Sequence, residues 1–176
     1  MTSRGRSGAR AGILVGARAT INQSGIRRMT MSGVAEHGGV AKATVYNHFR
    51  SRGELLDGLL ADELRLLNLA ADGAGDDVGA QLAAAATLIS TNPLLAAMRQ
   101  HEPELLASLA GFTAGELDGR WLVVVDSVRE RLNRSGCRDD NPAVNVVLRW
   151  LVSVAVAPTG DLELREEALL MAAAVG

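Results

Sequence analysis

The residues best equipped for chemistry lie between Thr30 and Arg52. Lys42, Thr44, Tyr46 and His48 all carry N–H or O–H donors, and Asn47 both donates and accepts. Val34, Val40, Val45 and Phe49 have the spacing to fill a common interior, which turns Lys42, Ala43, Thr44, Asn47 and His48 outward or nearly so. Such a set suits phosphate oxygens and base edges rather than bond-breaking. Arg50 and Arg52 stand at the start of a helix, where a cation opposes the helix dipole by ~0.3 to 1 kcal/mol; the placement makes sense if an anion sits there. Ala41 occupies a helix N-cap without a capping side chain, so backbone N–H groups are left for a phosphate.

Three helices must hold these residues. Ile13, Leu14, Ala17 and Ile21 recur at helical spacing, and Gly25 supplies a stop. Thr30 caps a short second helix carrying Met31, Val34 and Ala35, which ends at Gly38-Gly39. A third runs from about Lys42 to Phe49. Two short helices joined by a glycine-containing turn form a helix-turn-helix, whose second helix can enter a major groove. Residues 1–10, rich in Gly, Ser and Arg, read as a mobile basic arm. Ser51 and Glu54 form a capping box for a fourth helix with Leu55, Leu56, Leu59, Leu60, Leu64 and Leu67.

Charge agrees with a phosphate partner at one end. The net charge of −2 conceals nine basic side chains and one acid, Glu36, within residues 1–52, so the rest of the chain is strongly acidic. With 176 residues, 48% hydrophobic and only 3% aromatic, the core is aliphatic and helix is favoured over sheet. No P-loop, GxGxxG or GxSxG motif occurs, and no enzyme is expected. His37, His48 and His101 lack metal-ligand spacing, and neither a metal site nor a cofactor is expected. Cys137 is the single cysteine, which fits a reducing compartment; beside Arg138 it is a redox sensor or an incidental thiol. The apolar stretch Ala11–Ala17 is too short for a signal or a membrane span, which makes the cytoplasm the expected location, without a membrane partner.

Beyond the fourth helix, Asp72–Gly79 reads as a linker. The spacing then predicts helices over Gln81–Ser90, from Pro93 through Met98, over Leu105–Leu109 and over Gly115–Arg134. An Asn141-Pro142 start opens a helix to Ala157, and a last one covers Leu162–Val175. Leu88, Leu94, Met98, Phe112, Trp121 and Leu148 line an effector pocket or form plain core, with Thr87, Gln100, His101, Asp126 and Arg149 as candidate polar groups. The helix from Pro142, apolar on nearly every side, is a subunit interface or a central core helix. Val147, Leu151 and Val154 on it, with Val128 of the Gly115–Arg134 helix beside it, are the candidate interface residues.

The stretch Val34-Ala-Glu-His-Gly-Gly-Val-Ala-Lys-Ala-Thr-Val-Tyr-Asn-His-Phe49, with Ser51 and Leu55-Leu56 after it, resembles the recognition-helix region of TetR-family transcriptional regulators. The resemblance covers roughly residues 11–65. It implies an all-α protein with a helix-turn-helix DNA-binding domain at residues 1–50 and a helical ligand-binding and dimerisation domain at 51–176, including a connecting helix 51–71. It further implies that Lys42, Ala43 and Thr44 approach bases or nearby phosphates, that Tyr46 and His48 hold the backbone, that Thr30 and Ser32 contact the flanking strand, and that Arg52 clamps a phosphate. Ala41, Gly53 and Ile21 depart from the family's common residues, as does Gly33, which weakens its helix by ~1 kcal/mol relative to Ala. The implied function is a sequence-specific regulator, a repressor released by a small apolar effector, bound as a homodimer to a palindromic double-stranded operator. A helical small-molecule or protein-interaction domain without specific DNA binding is the alternative.

Overall fold

The structure, a computed structural model, describes residues 3–110 and 119–176, and the side chains of 8–107 and 119–176. Every regular element among them is a helix: α1 Ser3–Ser24, α2 Met31–His37, α3 Lys42–His48, α4 Arg52–Gly73, α5 Val78–Ser90, α6 Pro93–His101, α7 Pro103–Ala110, α8 Gly119–Arg134, α9 Asn141–Val156 and α10 Asp161–Val175.

Two apolar cores organise them. The first gathers Ile13, Leu14, Ala17 and Ile21 of α1 with Val34, Val45 and Phe49 of the α2–α3 region and Leu55 and Leu59 of α4. The second joins Leu82, Ala86 and Ile89 of α5 with Val144, Val147, Leu148 and Val154 of α9 and Leu164 and Ala168 of α10. Helix α4 belongs to both, because Leu67, two turns beyond Leu59, packs against the second core.

Close backbone approach lets α1 cross α2. A Cβ on Gly16 would lie 2.3 Å from the Val34 carbonyl oxygen and 2.6 Å from the Gly38 nitrogen, so only glycine fits there. Caps fix the short helices that follow. The Thr30 hydroxyl accepts from the Gly33 N–H at 3.1 Å, and that of Ser51 accepts from the Glu54 N–H at 3.1 Å. The Glu54 carboxylate reaches back to the Arg50 N–H, one residue beyond the partner a capping box requires.

Several boundaries differ from the sequence expectation. Helix α1 begins at Ser3, through the segment read as a mobile arm, since Arg4, Arg6, Ala9, Arg10 and Ala11 favour helix and extend an already packed one. Asp72–Gly79 is no linker: α4 and α5 pack against each other, joined by the short turn 74–77, and the Asp77 carboxylate caps α5 by accepting from the Ala80 N–H at 2.7 Å. Asp140, rather than Asn141, caps α9, accepting from the Ala143 N–H at 2.9 Å; that bond, followed by one from Arg138, holds its carboxyl below the ordinary value. Gly115–Asp118 of the expected eighth helix lie outside the described residues, and its described part is α8, Gly119–Arg134.

The candidate interface residues are used inside the protomer. Val147 and Val154 are 1% and 2% exposed in the second core, and Val128 and Leu151 pack against it. A helix covered by α5, α8 and α10 on several sides has little of that stripe left for a second subunit. The large apolar side chains left in the open nearby are Val146 and Val156 of α9 and Leu162, Leu169 and Leu170 of α10.

Candidate nucleic-acid interface and effector cavity

Helix α3 is held by its buried face and presents the other. Val45 is fully buried and Phe49 nearly so, while Lys42, Ala43, Tyr46 and Asn47 are exposed and Thr44 and His48 half-buried. Ala41 makes no side-chain cap, so the first N–H groups of α3 have only solvent or a ligand to bind. Ser32 and Thr30 are exposed at the start of α2; the Thr30 oxygen serves as the cap, and its proton remains free to donate. These groups form one face rich in donors. Arg10 lies over the Phe49 ring, 5.3 Å from its centroid, and shields the base of that face.

Arg52 has a second task that the sequence did not show. Its guanidinium donates to the Ile26 carbonyl in the turn between α1 and α2, with its remaining N–H groups available to a phosphate. The N–H groups of Ile26 and Arg27 donate to the carboxylate of Glu102 at 2.9 and 2.6 Å. Glu102, 4% exposed at the α6–α7 junction, is thus a buried acid satisfied by backbone of the turn between α1 and α2. Gly25 makes room for it. With φ +84°, this residue turns the chain so that a Cβ would lie 3.1 Å from Glu102 Oε1, and only glycine accommodates both conditions. Arg27 adds an exposed ion pair with Glu104.

A second bridge joins α1 to α4. Arg18 donates to Asp62 and Glu63, at 2.7 and 2.8 Å. Burial acts against the Arg18 charge, but its bonds to the two carboxylates override that and raise its pKa. Burial likewise disfavours the Asp62 carboxylate, yet hydrogen bonds from Arg18 and Arg65 hold it below the ordinary range. Glu63 also accepts from Asn92 at 2.8 Å, and Asn92 caps α6.

Both bridges abut a cavity of about 490 Å³ enclosed mainly by α4, α5, α6, α8 and α9. Leu56, Leu60, Leu64 and Leu67 form one wall, Trp121, Val124 and Val128 of the adjoining α8 another, and Ile26 and Glu63 reach it from the bridges. Of the six residues expected in a pocket, Leu94, Met98, Trp121 and Leu148 line this cavity. Leu88 does not: it borders a separate outer groove with Arg165 and Leu169, on the other face of α5. Phe112 lies outside the described residues. The five expected polar groups are also displaced. Thr87 borders the outer groove, and Gln100, His101, Asp126 and Arg149 do not line the cavity; its polar side chains include Asn68, Gln81, Ser127, Arg131 and Ser135 instead. One signal pointed to the α4 wall. Paired leucines on successive turns make a stripe too broad for a single contact, as expected of a helix serving two surfaces.

A compact helix-turn-helix with a donor-rich second helix, tied to a helical body that encloses an apolar cavity, defines a DNA-binding transcriptional regulator. Residues 13–59 match the profile described as bacterial regulatory proteins, tetR family. No curated protein matches the chain in sequence. Among solved structures it is similar to the TetR-family repressor AlkX from Dietzia sp., implicated in biodegradation of n-alkanes, with TM-score 0.61, 18% identity and 94% of each chain covered. It is similar to the ketosteroid transcriptional regulator KstR2 of Mycobacterium tuberculosis, with TM-score 0.52, 20% identity, and 99% of this chain and 96% of that one covered. The segment from Ile13 to Leu59 thus matches the tetR-family DNA-binding profile, and the chain as a whole shares the fold of solved TetR-family proteins.

Proposed function

We propose that the chain is a repressor that binds a palindromic operator as a homodimer and leaves it when a small, largely apolar effector fills the cavity. The observation that carries this reading is Ile26: its side chain lines the cavity, while its peptide is bonded to Glu102 on one side and Arg52 on the other. Occupancy that moves Ile26 therefore bears on the start of α4 and on the turn that positions α2 and α3. AlkX is implicated in biodegradation of n-alkanes and KstR2 is a ketosteroid regulator; the leucine-rich cavity of this chain suits effectors of comparable hydrophobicity. Lys42, Ala43 and Thr44 read bases. Tyr46, His48, Asn47, Ser32, Thr30 and Arg52 hold the backbone. The exposed leucines of α10, with Val146 and Val156 of α9, supply the apolar surface for a two-fold contact. Two identical reading helices then require inverted half-sites about 34 to 36 Å apart, or a multiple of that. The site of action is the cytoplasm.

The test is DNA selected from a random pool, followed by affinity across a salt series. Lys42 and Arg52 from two subunits displace counterions from at least about four phosphates, which gives a log–log slope near −4 or steeper. Lys42→Ala flattens that slope. A wild-type affinity insensitive to salt, or a selected sequence without inverted symmetry, rejects the arrangement.

A further inference from the structure

The two ends of the cavity differ. Toward the DNA-facing module its lining is mostly apolar, with Ile26, Leu56 and Trp121, and the cation there, Arg120, is paired with Asp57 at 2.6 Å; at the far end stand Asn68, Ser127 and Arg131. The spacing on α8 explains the gradient: Trp121, Val124, Ser127, Val128 and Arg131 follow steps of three and four, so one helix face runs from aromatic to cationic along the cavity.

Arg131 is the unusual member. Its side chain is 13% exposed, and its terminal nitrogens are engaged: Nη1 with Asp72 at 2.6 Å, Nη2 with the Asn68 carbonyl and with Asn68 Oδ1 at 3.1 and 2.9 Å. Its Nε–H is buried and has no acceptor among the described residues. A buried guanidinium N–H without an acceptor calls for an explanation, and a ligand oxygen that it meets after a small shift of the Arg131 side chain is one. Ser127, one turn earlier, accepts from Asn68 Nδ2 at 3.3 Å and retains its hydroxyl proton to donate. The charge balance favours an anion. Asp72, the counter-ion of Arg131, is half exposed and screened by water, whereas the Arg131 side chain is mostly buried; of the other charged lining residues, Glu63 is paired with Arg18 and Arg120 with Asp57.

We propose that the cavity selects an apolar chain or ring system ending in a single carboxylate, with that group held by Arg131 and Ser127 and the apolar body extending toward Ile26. This rests on the effector reading above and adds the chemical class and the orientation of the ligand. Burial of the carboxylate against the guanidinium supplies the discrimination, and the far end of the molecule touches the residue that links the cavity to the DNA-facing module.

The test is titration calorimetry of the full-length protein with decanoic acid, decan-1-ol and decylamine, which share one apolar chain and differ in head group. The wild type is expected to bind one decanoate per protomer at least about tenfold more tightly than decylammonium, with decanol between them. Arg131→Met is expected to collapse that ratio to about threefold or less while decanol affinity is retained. Ser127→Ala, which leaves the contacts of Arg131 with α4 intact, weakens decanoate selectively and serves if the Arg131 variant does not fold. Equal binding of acid and amine by the wild type, or an unchanged ratio in both variants, overturns the carboxylate assignment and leaves the effector cavity standing. Failure of all three probes to bind a folded, DNA-competent protein overturns the assignment and the effector reading together.

Discussion

The DNA-facing module and the body behind it are built from similar aliphatic residues and packed to different ends. In the module, Ile13, Ala17, Ile21, Val34 and Val45 are fully buried, and α1 meets α2 with backbone against backbone at Gly16. In the body, Leu60, Leu64, Leu95 and Trp121 stay half-buried around a cavity. A dense interior holds donors at fixed positions for a rigid duplex. A hollow one leaves apolar surface for a guest to cover, and several helices free to adjust around it. The difference shows how one composition yields a dense module and a hollow body.

The largest expected effect strikes the dense side. Gly16→Ala places a methyl 2.3 Å from the Val34 oxygen, so α1 and α2 must separate. A loss of about 3 kcal/mol is expected by denaturant titration, with DNA affinity falling in parallel. A neutral result shows the module to be softer than its packing implies. Next comes the junction. Glu102→Ala leaves the Ile26 and Arg27 N–H groups without their acceptor, at about 2 kcal/mol, and weakens the dependence of DNA affinity on effector more than DNA affinity itself. The hollow side should respond in the opposite sense. Leu64→Phe fills part of the cavity and is expected to raise stability by about 1 kcal/mol, leave operator binding unchanged and abolish effector response. If the variant is destabilised instead, the cavity walls are less able to adjust than the comparison holds.

The smallest effect is a pH dependence of the Arg18–Asp62 bridge. Because the folded state holds the Asp62 carboxyl below its ordinary value of 3.8, the bridge contributes fully above that pH and fades as pH falls through the lowered value. The stability difference between wild type and Asp62→Asn is therefore expected to be constant near neutrality and to shrink below about pH 4, measured by thermal unfolding.

The all-helical architecture was legible in the sequence because several helix starts carry a local signal, such as Thr30, Ser51 and Pro93, and the short helices their own apolar spacing. The outward set on α3 was legible for the same reason: Val45 and Phe49 fix its inner side. The cavity was only partly so. Periodicity marks Leu64 and Trp121 as inward-facing without telling filled core from hollow, since that depends on how five helices meet. Arg131 and Asn68 read as ordinary solvated residues until α4 and α8 are placed side by side. Glu102 is reached from Ile26 across 76 residues of chain, a separation that no local pattern reports. The apolar run of α9 left two outcomes open, and α5, α8 and α10 close over it in the structure.

The shared ownership of α4 bears on how such regulators can be recombined. A reading module cut at residue 50 would leave behind Leu55 and Leu59, which are 0% and 3% exposed and complete its interior. A graft onto another receptor must therefore carry the first two turns of α4 with it, and the seam belongs between Leu59 and Leu67, inside a continuous helix, where the recipient has to match rotation as well as sequence: each residue added or dropped there turns the reading face by about 100° relative to the receptor.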